Sequence, residues 1–343
     1  MVTIFRRAKN LVYSTLFKTG MLRVFQQVGR GSSRLYVLCY HRVDEADHRP
    51  RLTPVTLSAT PDQFREQMRL IASRYTPVSA EEILAALDGG PSLPPDAVLV
   101  TVDDGYRDFK ETIFPIASSY GIRPVLFVPT AFPGRGGFWW DRLYCAVYHA
   151  PGERLSTPLG TYPLRNEAEK QKAFTSLRAS ILSMSFPEGM QIVDELPVQP
   201  DSNEALPDVL DWEELRELSR AGATIAAHTH THPALTRLPL EQARDEIRKS
   251  QEVVRSEIGE ALPIFAFPYG NPQFFSQPLT DFLKGDGFKF AVTTVEGSAA
   301  LTSTNALCFP RLGVNPALTH QALYFHLTPA YSWIQSRMAF VGM

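Results

Sequence analysis

The chain predicts an α/β fold in which about seven parallel strands, each followed by a helix, close or nearly close into a barrel. Three observations carry this expectation. Apolar runs of strand length, rich in β-branched residues, alternate along the chain with segments whose apolar residues recur at helical spacing. Several of those segments open on a side chain able to cap a helix and close on glycine. Finally, the residues best suited to chemistry, namely His41, Asp103 with Asp104, His228 with His232, Tyr269 and Arg311, all fall just past the carboxyl end of a strand-like run. In a parallel barrel those ends share one face, where binding and catalysis are built.

Residues 1–33 place Ile4, Leu11, Leu16, Met21, Leu22 and Phe25 between Arg6, Arg7, Lys9, Lys18, Arg23 and Arg30, the make-up of a basic amphipathic helix. Such a helix either packs on the domain with its basic face in water or lies on a membrane surface. Residues 35–40 form the first strand and run into His41. Thr60-Pro61-Asp62-Gln63 is a capping box with proline at the first helical position, followed by Phe64, Met68 and Ile71 at helical spacing. Ser79-Ala80-Glu81-Glu82 repeats the device before Ile83, Leu84 and Leu87, and Gly89-Gly90 ends that helix. Residues 97–102 are the next strand; Phe109, Ile113, Ile116, Ala117 and Tyr120 then give a helical face, and residues 124–128 another strand.

From about residue 132 to 210 the rhythm lapses into glycines, prolines, the pair Trp139-Trp140 and a charged helical segment at 167–182. This reads as an insertion on the barrel rim, with apolar periodicity too sparse for a core of its own. The alternation resumes at Asp211, which caps a helix bearing Leu215 and Leu218, and a strand at 224–227 leads into His228. A helical stripe (Ala243, Ile247, Val254, Ile258), strands at 264–267 and 288–294, and a short last strand at 307–309 before Pro310-Arg311 complete the barrel. The barrel is thus expected over residues 34–315, with a C-terminal helical segment over 316–343.

With 343 residues, 44% hydrophobic and 20% charged, the chain can bury one large core or two smaller ones. The formal net charge of -2 supplies no bulk field that would favour nucleic acid as a partner. Cys39, Cys145 and Cys308 are odd in number and widely spaced, so they read as buried thiols of a reducing compartment, not as a disulfide set or zinc site. N-terminal apolar runs are short and carry no small-residue cleavage site, so neither a signal peptide nor a transmembrane span is expected.

Two stretches point to chemistry. In Asp103-Asp104-Gly105, two adjacent carboxylates at a partly buried strand end stay ionised only if a cation or donors compensate their repulsion. The same letters also make an ordinary helix cap and turn. His228-Thr229-His230-Thr231-His232 supplies two histidines four apart, which with a carboxylate from another strand offer three ligands and leave room for water on a zinc-like ion. A solvated histidine-rich loop is the plainer alternative.

At Thr101-Val102-Asp103-Asp104-Gly105, at His228-Thr229-His230-Thr231-His232 and at Phe265-Ala266-Phe267-Pro268-Tyr269-Gly270 the sequence resembles the polysaccharide deacetylase family, carbohydrate esterases of the NodB-homology type. The resemblance covers roughly residues 34–315, interrupted by the insertion. It implies a distorted (β/α)7, TIM-like barrel, with Asp103 as general base and Asp104, His228 and His232 as ligands of a divalent metal. Zinc is the first expectation; cobalt, nickel and manganese suit the same ligand set. His230 falls in the spacer and stays outside that set. Two departures stand out. Where the family carries an arginine that braces the base, this chain has Ala266, and Arg311 is the candidate replacement. A late Leu-x-His motif that commonly supplies the general acid is missing, since His320 and His326 fall in the C-terminal helical segment. His41, in Tyr40-His41-Arg42-Val43, looks like the Tyr-His element of a subgroup in which a first-strand histidine provides that acid; its plainer reading is packing under the rim.

The resemblance implies hydrolysis of N-acetyl groups on amino sugars of a bacterial surface polysaccharide or its precursor. Asp103 would take the proton of the attacking water, His41 would protonate the leaving amine, and a backbone N–H at Tyr106 or nearby would face the oxyanion. Trp139, Trp140 and Tyr269 are candidates for stacking on sugar rings, or for plain packing. The same metal and base would suit an O-acetyl glycan esterase, while Ala266 and the missing late histidine motivate a non-catalytic glycan-binding barrel. The expectation of no signal peptide favours a cytoplasmic location, peripheral at the inner membrane face through the basic helix, and a lipid-linked or nucleotide-linked saccharide as substrate.

Overall fold

A computed structural model describes residue 15 and residues 18–21, 34–135, 137–197, 208–301 and 306–331. The amphipathic helix expected over 1–33 lies outside the described residues except at 15 and 18–21, as does the C-terminal segment after 331. The elements in chain order are β1 (Arg34–Tyr40), β2 (Arg42–Val43), β3 (Leu57–Ala59), α1 (Pro61–Arg74), β4 (Thr76–Pro77), α2 (Ala80–Leu87) and β5 (Ala97–Asp103). A π-helical turn, Phe109–Ile113, leads into α3 (Phe114–Ser119), followed by β6 (Val125–Val128). The insertion holds α4 (Trp139–Tyr148), the hairpin β7 (Arg154–Thr157) and β8 (Gly160–Pro163), α5 (Glu167–Ser183) and α6 (Phe186–Asp194). Then come α7 (Trp212–Arg220), β9 (Thr224–Ala227), α8 (Leu240–Ile258), β10 (Ile264–Ala266), α9 (Gln277–Gly285), β11 (Phe290–Glu296), β12 (Ala299–Ala300), β13 (Phe309–Gly313) and α10 (His320–His326).

Helix starts are set locally. Thr60, Ser79 and Asp211 each accept the backbone N–H three residues on, and Gln63, Glu82 and Glu214 return a bond to the cap residue's own N–H. Each such cap is worth ~1 kcal/mol. Seven strands pair in parallel in the order β1, β5, β6, β9, β10, β11, β13, and the pairing of β13 with β1 closes the barrel. The fold is therefore the closed seven-stranded α/β barrel that the strand count predicts.

Period-two alternation sorts the side chains. Leu35, Val37, Leu99, Phe127, Ala266 and Val292 belong to one buried cluster inside the barrel, its floor shut by Ile83 and Leu84 of α2. Between them, Tyr36, Leu38, Val98, Val100 and Val102 face outward into the layer of α1, α3, α7 and α10. Continuing the inward set toward the carboxyl end gives Cys39, Thr101, Asp103 and Arg311, all buried. The interior thus turns from apolar to polar where the site lies.

Two expectations need correction. Arg311 does not follow the last strand but sits inside it, because β13 starts at Phe309 and runs through Pro310 to Gly313, while Leu307 and Cys308 form a 3-10 turn. A proline near the start of a strand is tolerated since its missing donor falls at the end of the ladder. The insertion, expected to lack a core, buries Phe138, Leu143, Val147, Phe174, Leu177 and Val193 in one cluster that continues onto the rim through Leu52 and Tyr106. Its apolar residues meet between helices and so leave little periodicity in any single segment. No helix among the described residues is long and apolar enough to cross a membrane.

Candidate active site

The carboxyl ends of the strands open into a cavity of about 610 Å³, lined by residues that include His41, Asp103, Asp104, His228, His232 and Tyr269. Backbone geometry turns these side chains toward one another. Asp103 ends β5, and Asp104 and Gly105 follow with φ of 80° and 82°, so the chain reverses and two successive carboxylates reach the same mouth. Among the described residues, five that are not glycine adopt positive φ, and four of them, Asp104, Thr229, His232 and Tyr269, lie in the loops of this cavity. Such backbone is strained for a residue with a Cβ and persists only where the surroundings hold it. Gly270, at φ 58°, follows the last of them; a Cβ there would sit 2.5 Å from the backbone nitrogen of Thr294.

Asp103 is held by Arg311. Guanidinium Nη1 and Nη2 donate to Oδ1 at 2.8 Å and Oδ2 at 2.7 Å, while Nη1 also donates to Thr101 Oγ1 at 3.1 Å and Nε to the Thr293 carbonyl at 2.7 Å. Burial opposes a charge on Asp103, but the guanidinium outweighs it and holds the carboxyl well below the usual range. The Cys39 thiol also lies 3.6 Å from Asp103 Oδ2, and burial pushes that thiol up, so it donates as a neutral group. Arg311 is fully buried and touches Asp103 without lining the cavity, which makes it a positioning residue and not a catalytic one.

Asp104, His228 and His232 present ligand atoms that all lie within 4.8 Å of one another. The Nε2 atoms of His228 and His232 stand 3.8 and 3.4 Å from Asp104 Oδ1, yet that oxygen is buried and makes no hydrogen bond. A buried carboxylate oxygen without a donor is costly, and a cation between the three groups would satisfy it. His228 Nδ1 lies 2.8 Å from the Ala266 carbonyl, which assigns the proton there and leaves Nε2 as a lone pair. Burial lowers the pKa of His228 to about 4, so the ring is neutral at pH 7, the form that binds metal. His232 is wedged edge-on against Trp140 and Tyr269, at centroid distances of 4.9 and 5.1 Å. These residues therefore fit a divalent ion. A second group, Cys39, His41 and Asp103, is as compact, but Arg311 occupies both Asp103 oxygens and the thiol is protonated, so it does not suit one.

The remaining candidates divide. His41 lines the cavity, its backbone N–H fixed on Ser58 Oγ at 2.9 Å, with a ring nitrogen within 4.8 Å of the Asp103 carboxylate. His230 points away and contacts Thr130 Oγ1 at 2.9 Å, and His320 and His326 lie on α10, off the cavity. Trp139 and Trp140 line the wall with Tyr269, but their indole N–H groups are used, by the Tyr269 and Tyr106 hydroxyls at 3.0 and 2.8 Å. Tyr106, a candidate for substrate contact, is corrected: its side chain is buried and donates to Asp141 Oδ2 at 2.7 Å, so only its main chain can face substrate.

Two supporting residues escaped the sequence reading. Glu246 on α8 accepts the N–H groups of His230 and Thr231 at 2.9 and 2.7 Å and the Thr231 hydroxyl at 2.8 Å, pinning the histidine loop. Asp141 on α4 accepts from Tyr106 and from the Thr53 N–H at 2.8 Å, tying the insertion to the rim; burial raises its pKa to about 7. Each acts across long sequence separations, and nothing in its local sequence marks it.

Comparisons with known proteins bear on the family and the fold. Residues 90–290 match the family model described as polysaccharide deacetylase. Over 104 residues the chain is 36% identical to the poly-beta-1,6-N-acetyl-D-glucosamine N-deacetylase of Escherichia coli, a match that takes in 30% of this chain and 14% of that protein. Among solved structures, the Streptococcus pyogenes deacetylase PplD in complex with acetate aligns at a TM-score of 0.58 and 16% identity, over 87% of this chain and 100% of that one. IcaB from Ammonifex degensii aligns at 0.57 and 18%, over 87% and 98%. At such identities the structural likeness speaks for the fold alone. The family match spans the aspartate strand, the histidine loop and the Phe265 to Gly270 turn, more than half of the chain in all, and on that ground the chain belongs to the polysaccharide deacetylase family of hydrolases.

Proposed function

We propose that the protein is a metal-dependent deacetylase that removes N-acetyl groups from the amino sugars of a bacterial surface polysaccharide or its precursor. The observation that carries this reading is the pairing, in one cavity, of an Arg311-braced carboxylate with the Asp104, His228 and His232 group. A divalent ion, zinc by its nitrogen and carboxylate donors, would polarise the acetyl carbonyl and acidify the attacking water, the condition under which a base as weak as Asp103 accepts a proton.

The protein's own groups supply the rest. Arg311 keeps Asp103 ionised and aimed at the water, so no proton need be removed before reaction. As the carbonyl becomes tetrahedral, the Tyr106 backbone N–H, which has no acceptor among the described residues, would donate to the oxyanion. His41 donates a proton to the departing amine, without which the amine would return to the carbonyl. Trp139, Trp140 and Tyr269 wall the cavity, and of the three only the half-buried Tyr269 is exposed enough to meet a sugar ring.

Acetate release from a panel of acetylated glycans by metal-reconstituted protein tests this reading. Release from N-acetylglucosamine oligomers is the expected result. Release from acetylated xylan alone would make the protein an O-acetyl esterase, and stoichiometric metal with no acetate from any glycan would make it a binding barrel.

A further inference from the structure

Charge in the cavity wall departs from what a neutral acetylated glycan requires. Arg178, half-buried on α5 of the insertion, and Arg237, exposed at the end of the 3-10 turn Leu235–Arg237, both line the cavity that holds Asp103, Asp104 and the two histidines. Neither is in an ion pair among the described residues, whereas Arg107, Arg142, Arg216 and Arg244 each are. Nor do the cavity's own acids serve them. Asp103 has both oxygens on Arg311, and Asp104 faces His228 and His232.

We infer that Arg178 and Arg237 form an anion subsite beside the acetyl-binding end of the cavity and take the phosphate or diphosphate of a phosphorylated acetamido sugar. Two guanidinium groups from separate elements line one cavity with no carboxylate paired to either among the described residues, so an anion that enters meets charged donors and no competing acid. A dianionic phosphate matches both cations; a single carboxylate would neutralise only one. The hydroxyls of a neutral glycan are satisfied by amide, hydroxyl and aromatic groups, which Asn271, Gln273 and Tyr269 already provide in the same wall. Beyond Arg237 the wall passes to Leu182, Met184 and Met190, part-exposed apolar side chains that suit whatever follows the phosphate. The substrate class rests on the deacetylase reading; the anion subsite does not.

Calorimetric binding to the Asp103→Asn protein, which keeps Asp104, His228 and His232 but lacks the general base, tests the subsite without hydrolysis. The probes are N-acetylglucosamine 1-phosphate, uridine diphosphate N-acetylglucosamine, a short-chain prenyl diphosphate N-acetylglucosamine and, as the neutral reference, di-N-acetylchitobiose. Phosphorylated ligands should bind about tenfold or more tightly than the neutral one, the worth of one charge-assisted hydrogen bond, with an advantage that shrinks as salt rises. Arg178→Gln with Arg237→Gln should abolish that advantage while chitobiose affinity stays unchanged, and the single variants should each lose part of it. Equal affinity for charged and neutral ligands, a preference that survives the double variant, or parallel loss for all four ligands would overturn the proposal; the last outcome would assign the arginines to sugar hydroxyls. Comparison of the prenyl and uridine ligands tells a lipid-borne phosphate from a nucleotide. Acetate release by the parent protein, measured in parallel, separates the two readings: arginine-dependent binding with no acetate from any ligand keeps the subsite and removes the deacetylase, and acetate release with no charge preference does the reverse.

Discussion

Arg311 and Asp103, separated by 208 positions in sequence, meet inside the barrel with two guanidinium N–H groups on two carboxylate oxygens, at 2.8 and 2.7 Å, and neither side chain is more than 2% exposed. An ion pair this buried is costly to break from one side. Arg311→Ala would strand a carboxylate and cost ~3–5 kcal/mol, which would confuse catalysis with folding.

Arg311→Lys is the better probe, because an ammonium keeps the charge but cannot span both oxygens. The rate should fall ~10- to 100-fold, as for loss of other groups that orient a reacting residue. Since Arg311 holds the Asp103 pKa down, a weaker brace lets it climb, and the acid limb of the pH–rate profile should move to higher pH. Stability carries the same sign: the pair stabilises the fold above the carboxyl's unfolded pKa, and that stabilisation is lost as pH falls through the folded value. An unchanged rate and acid limb would leave Arg311 a structural residue only.

Asp103→Asn and Asp104→Asn should part company. The first leaves Asp104, His228 and His232 untouched, so zinc content measured by atomic absorption should stay stoichiometric while acetate release falls ~10²- to 10⁴-fold. The second should bind zinc weakly and recover part of its rate in excess metal. A reversed pattern would exchange the roles of the two aspartates.

His41→Ala should lower turnover ~10²- to 10⁴-fold with zinc content intact, the cost of losing a positioned acid. Nearly full activity would return His41 to a packing role and leave the amine's proton to solvent.

Asp141 reverses the ordinary carboxylate linkage. Burial raises its folded pKa from 3.8 to about 7, so the folded state binds the proton more tightly and this group's stabilisation, complete below pH ~4, is lost as pH rises toward 7. The full effect is on the order of 4 kcal/mol. Asp141→Asn cannot ionise, so its Tm relative to the parent protein should be higher at pH 8 than at pH 5. A difference independent of pH would show that Asp141 ionises in the fold as readily as in the unfolded chain.

Local physics made much of this protein readable. The caps at Thr60, Ser79 and Asp211 close hydrogen bonds between residues three apart, and strand residues sort by a period of two, so element types and the barrel followed from neighbouring letters. The metal-fitting residues were legible for the same reason: Asp104 follows its strand directly, and His228 and His232 share one short loop. Everything that depends on barrel closure was decided elsewhere. Arg311 could be nominated for the place that Ala266 leaves empty, but only the pairing of β13 with β1 and β11 puts it inside the strand and under Asp103. Asp141, Glu246, Arg178 and Arg237 join the site from the insertion and outer loops, where no spacing relates them to the aspartates. Hydrogen bonds and charges act over a few ångströms of space whatever their distance along the chain, so contacts of that kind exist only once the tertiary structure has brought their partners together.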